Sequence, residues 1–96
     1  MKPSEKLRTM AELYEIKNQE YGSDYHRHGQ LMSVLFPKGV TLNTTSHFGR
    51  YAILTMIVAK LGRYVNNFYE DGHSDSLNDI IVYAAMLQEL DEGKSK

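Results

Sequence analysis

Asp75-Ser76-Leu77-Asn78-Asp79-Ile80-Ile81-Val82-Tyr83-Ala84-Ala85-Met86-Leu87, read against the earlier run Ile53-Leu54-Thr55-Met56-Ile57-Val58, decides the fold. Ser74 or Asp75 is a suitable cap for a helix running to about Leu90 or Asp91. Thr45 or Ser46 likewise caps a long helix running to about Tyr69. The connection between them, Glu70 to Ser74 around Gly72, is short enough that the two helices should lie antiparallel as a hairpin. Both helices are more apolar than one exposed face permits: Ile53, Leu54, Met56, Ile57 and Val58 cover most of one circumference, Ile80 to Leu87 most of the other. Four short helices cannot bury that much surface alone, so a homo-oligomer built on helix faces is expected.

Working outward, Ser4-Glu5 opens an amphipathic helix with Leu7, Met10, Leu13 and Tyr14 on one face and Glu5, Lys6, Arg8, Glu12 and Glu15 on the other, ending near Gly22. A shorter second helix, capped by Ser23 or Asp24, carries Leu31, Met32, Leu35 and Phe36 and stops at Pro37. Lys38 to Thr45 reads as loop. The expectation is one all-α domain over residues 1–96: four helices, two of them the long hairpin, with residues 1–3 and 92–96 disordered.

Composition narrows the function classes. At 96 residues the chain has room for one small domain. Its formal net charge of −1, with both signs interspersed, supplies no basic field for DNA or RNA. Without cysteine there are no disulfides, thiolate chemistry or cysteine-based zinc sites. The opening residues lack the apolar core of a secretory signal, and Tyr51 to Ala59 is far short of the ~20 residues of a membrane span. A cytoplasmic protein is expected, with no membrane partner.

The most informative constellation lies where the long helices meet. Lys60, Arg63 and Asn67 share one face beside Tyr64, while Asp75, Asp79 and Tyr83 share a face of the next helix. Folding about Asp71 or Gly72 brings Asp79 level with Arg63, and Tyr83 level with Lys60. Asp75 as a first-turn acid and an Asp79–Arg63 ion pair fixing register would explain the pattern structurally. A ligand site explains it too, with Lys60 and Arg63 on phosphate oxygens and the carboxylates on Mg²⁺ or on a sugar or base. Arg50, in the first turn of its helix, would add to an anion site there or serve as a solvated surface charge.

A second candidate is Lys17-Asn18-Gln19-Glu20-Tyr21-Gly22 with the following Tyr25-His26-Arg27-His28. Lys17 would contact phosphate, Glu20 a metal, and Tyr21 or Tyr25 a base; alternatively Gly22 caps the helix and the aromatics pack in the core. His26 and His28, two apart, fall on different helix faces and suit no single metal; His47 and His73 are isolated. The chain contains no glycine-rich phosphate loop, His-Glu-x-x-His helix or serine nucleophile elbow.

The runs Lys60-Leu61-Gly62-Arg63 and Asp75-Ser76-Leu77-Asn78-Asp79-Ile80-Ile81-Val82-Tyr83, with the earlier Lys17-Asn18-Gln19-Glu20-Tyr21-Gly22, resemble the pattern of the nucleotide modification associated domain family of phages and bacteria. The resemblance spans roughly residues 17 to 91. It implies a small helical phage protein connected with nucleotides or their modification, acting in the host cytoplasm. The pattern is also similar in style to the MazG-type all-α nucleoside triphosphate pyrophosphatases, which set carboxylates from facing helices around Mg²⁺. That type has a Glu-Glu-x-x-Glu helix and a later Glu-x-x-Asp; here Gly72 stands three before Asp75, and Glu12, Glu15 and Glu20 lack the grouping.

Three functions follow as expectations. The first is a nucleotide-binding protein needing no cofactor, an oligomer that sequesters a nucleotide or a nucleotide-derived signal of host defence. Its ligand residues would be Lys17, Tyr21, Arg50, Lys60, Arg63, Asn67, Asp75, Asp79 and Tyr83. The second is a Mg²⁺-dependent pyrophosphatase with Glu20, Asp75 and Asp79 as metal ligands. The third is a structural or protein-interaction module whose charged cluster only sets register.

Overall fold

The computed structural model describes the backbone of residues 2–21 and 24–93 and the side chains of residues 2–17 and 26–93. The regular elements among them are helices: α1 (Pro3–Tyr21), α2 (Asp24–Leu35), α3 (Thr45–Asn66) and α4 (Ser74–Asp91). Among the described residues there is no strand, and no helix is long and apolar enough to cross a membrane.

Local chemistry sets each boundary. Pro3 opens α1, at the position where a missing N–H is harmless, and the Lys2 carbonyl accepts from the amides of Glu5 and Lys6 at 3.0 Å each. The helix therefore begins inside the segment expected to be disordered. Pro37 stops α2 one residue after the Phe36 amide bonds back to Met32, and Gly39, at φ +80°, closes the turn. Thr44 caps α3, just before the expected Thr45 or Ser46, its Oγ1 accepting from the His47 amide at 3.0 Å. At the other end α3 stops three residues short of Tyr69. Asn67 caps it there, its side-chain amide donating to the Arg63 carbonyl at 2.9 Å.

The hairpin connection, residues 67–73, is longer than the expected Glu70 to Ser74. Asp71 and Gly72 both take left-handed backbone, at φ 76° and 75°, and the Gly72 amide returns to the Asn67 carbonyl at 2.8 Å. His73, rather than Ser74 or Asp75, caps α4: its Nδ1 accepts from the Ser76 amide at 3.2 Å and lies 2.6 Å from the Ser76 hydroxyl. That contact gives the fully buried Ser76 side chain its polar partner. Glu92, in the segment expected to be disordered, caps the far end of α4; residues 94–96 lie outside the described ones.

α3 is the central helix. Both α4 and α2 pack on it. Arg27 on α2 donates to the Asn66 side chain at 2.9 Å, while Phe36 stacks obliquely on Tyr51 with ring centroids 5.9 Å apart. Those two ties, at opposite ends of α3, make α2 antiparallel to it. With the described side chains of α1 exposed, these helices enclose little core. Among the described residues the buried positions are Val58, Gly62 and Ser76.

The cost appears in the overall dimensions. A compact chain of 11.0 kDa would expose about 5,600 Å² and have a radius of gyration near 12–13 Å. This one exposes 7484 Å², with a radius of gyration of 16.6 Å. Much of the excess is apolar. Leu7 is 70% exposed, Val34 74% and Ile81 67%, and every described side chain of α1 faces solvent.

Candidate functional site

The hairpin seam carries the cluster that the sequence singles out. Lys60 Nζ lies 3.1 Å from Asp79 Oδ2. Asp79 thus meets α3 one turn farther from the hinge than Arg63, because the chain leaves α3 at Asn66 and the pivot moves to near Glu70. The lysine side chain is 18% exposed and the carboxylate 47%, so the pair is closed on the α3 side and open to water on the α4 side. Arg63 is half-buried with its Nε shut off from solvent.

The other seam residues divide by role. Asn67 directs its amide into the end of α3, a capping function. Asp75 is exposed in the first turn of α4, where a carboxylate suits the positive end of the helix dipole. Tyr83 is half-buried one turn beyond Asp79. Tyr64 covers the hinge glycine. Lys60 and Asp79 are therefore brought together as an ion pair, while Asn67 and Asp75 serve the helix ends. Among the described residues no three His, Asp or Glu side chains are grouped so that they could hold a metal ion. Lys17 is exposed on α1, and Glu20 and Tyr21 lie outside the described side chains.

Arg50 is ten residues from Lys60, about 15 Å along α3, and belongs to a different place. At the open end of the hairpin the loop after α2 folds over α3 and α4, leaving a hollow of about 320 Å³. Its wall includes Phe36, Leu42, Tyr51, Leu54 and Leu87, with His47, Arg50 and Asp91 supplying charge or polarity. Arg50 Nε donates to Asp91 Oδ1 at 2.8 Å, and both side chains are about half exposed. The volume is at the small end of the ~300–1,000 Å³ range of ligand pockets. An apolar wall with two aromatic rings and a few polar groups suits a flat ring bearing an anionic substituent.

Sequence reading identified Arg50 but not this hollow. Phe36 appeared there only as part of an apolar stripe and Leu42 only as loop. The available signal was an aromatic residue on each side of a short Pro-Lys-Gly turn, Phe36 and Tyr51, with a cation next to the second.

Compared with family models, curated proteins and solved structures, the chain matches none.

Proposed function

We propose that this chain binds a phosphate-bearing small molecule with a planar ring, of the nucleotide class, and that it does so without needing a metal, as a subunit of a helical homo-oligomer. The observation that carries the reading is the hollow at the open end of the hairpin, where Phe36 and Tyr51 line an apolar wall and Arg50 stands at hydrogen-bonding distance from an exposed carboxylate. The ring enters against the aromatic wall. Its phosphate takes Arg50 from Asp91, which has water on its other side. Lys60 and Arg63 offer a second anion position, but a phosphate there must displace Asp79 from a lysine that is mostly covered.

The resemblance to the nucleotide modification associated domain family supports the same ligand class, and with it a phage protein working in the host cytoplasm, where it would sequester a nucleotide signal. The Mg²⁺-dependent pyrophosphatase reading has less support, since neither Asp75 nor Asp79 stands in a three-ligand cluster among the described residues. A protein-interaction role is favoured by one observation, the large apolar surface left open, and is compatible with ligand binding.

Thermal melting with nucleoside mono-, di- and triphosphates, cyclic dinucleotides and ADP-ribose, each with Mg²⁺ or EDTA, tests the proposal. A ligand at one hundred times its Kd should stabilise the folded state by about 2.7 kcal/mol. Stabilisation that persists in EDTA, with ligand recovered intact, is the expected result. Pyrophosphate release dependent on Mg²⁺ would favour the hydrolase, and no shift with any of these compounds would remove the nucleotide reading.

A further inference from the structure

Two apolar surfaces of this chain are exposed among its described residues. The first is α1, a helix of 19 residues whose Leu7, Met10, Leu13 and Tyr14 form a stripe at three- and four-residue spacing, all in solvent. The second is a groove of about 420 Å³ between α2 and α3, lined by Leu31, Val34 and Leu35 on one helix and Val58, Leu61 and Val65 on the other. Among the described residues, the charge in its lining is Arg27. An amphipathic helix laid into an apolar groove is a standard mode of association, and here the same chain carries both halves.

We propose that the α2–α3 groove receives α1 of a second copy of this chain, and that the exchange is reciprocal. It rests on the homo-oligomer part of the proposed function and says which surfaces make the contact. Area argues for it. The chain exposes roughly 1,900 Å² more than a compact protein of its mass, against the ~800 Å² per partner that a stable interface needs. Covering only one of the two surfaces would leave the other open; a two-fold exchange covers both in both copies.

The absence of cysteine makes the test clean. Light Met10→Cys protein is mixed with ¹⁵N-labelled Val34→Cys protein, oxidised and analysed by mass spectrometry, alongside the native mass of the unmodified chain. Both positions are exposed, so the variants should keep the fold. The expected result is an even-numbered multimer and a heavy–light disulfide between the two peptides. A multimer with no such disulfide overturns the α1–groove interface and leaves the homo-oligomer standing. A monomer overturns both. In the double variant Met10→Cys/Val34→Cys, a disulfide within one chain at high dilution would show α1 folding onto its own groove, which also overturns the exchange. Leu13→Glu and Val34→Glu give a second readout: each should reduce the multimer at least tenfold in association while helical circular dichroism of the monomer persists.

Discussion

Tyr64 lies so close over Gly72 that a Cβ on the glycine would sit 3.0 Å from Cε2 of the ring and 3.2 Å from its hydroxyl oxygen. The hinge of the hairpin is thus closed by a side chain from α3, and only a residue without a side chain fits beneath it. Gly72→Ala meets two penalties, the left-handed backbone and the ring, together roughly 2–4 kcal/mol. Urea denaturation followed by circular dichroism should show a lower midpoint at unchanged slope. Asp71→Gly, at a left-handed position without that contact, should change stability by less than about 1 kcal/mol.

His73→Ala removes the α4 cap and the neighbour of the buried Ser76 hydroxyl. The loss should be about 1–3 kcal/mol, from the cap and from a stranded polar group. His73→Asn, which restores a capping oxygen, should recover part of it. Equal melting of the wild type and the alanine variant would show that another residue starts the helix.

The Lys60–Asp79 pair is a register contact of modest strength. Its carboxylate is 47% exposed, so a double-mutant cycle with Lys60→Ala and Asp79→Ala should give a coupling of roughly 0.2–1 kcal/mol, smaller still in high salt. The Lys60→Ala protein should keep its nucleotide-dependent rise in melting temperature. Loss of that rise with the fold intact would move the ligand site to the seam.

Arg50→Ala should abolish the same rise while costing no more than about 1 kcal/mol of intrinsic stability, since the Asp91 pair is exposed. Arg50→Lys should bind more weakly than the wild type, because a lysine cannot offer a phosphate two parallel donors. Both are read by melting with whichever compound of that panel stabilises the wild type.

The hairpin was legible because its signals are local: apolar runs at helical spacing, a short polar connection and a glycine in it. Its register was not. That depended on Asp71 adopting left-handed backbone alongside Gly72, and on a histidine capping α4, neither of which is the commonest residue for the task. Lys60 and Asp79 were read as facing residues, but their pairing with each other needed the true pivot. The hollow at Arg50 escaped because it is made by contacts between the loop near Leu42, the start of α3 and the end of α4. Such contacts leave no periodic trace in the chain.

Because α2 and α4 each pack on α3, an excursion that detaches one of them leaves the other's contacts with α3 in place. Amide exchange should therefore be graded: slowest in the middle of α3 around Val58, faster in the two outer helices, and fastest along α1 at low concentration. Raising the concentration should slow exchange in α1 first, and the lag between α1 and α3 would measure how much of the chain's order is supplied by its neighbours.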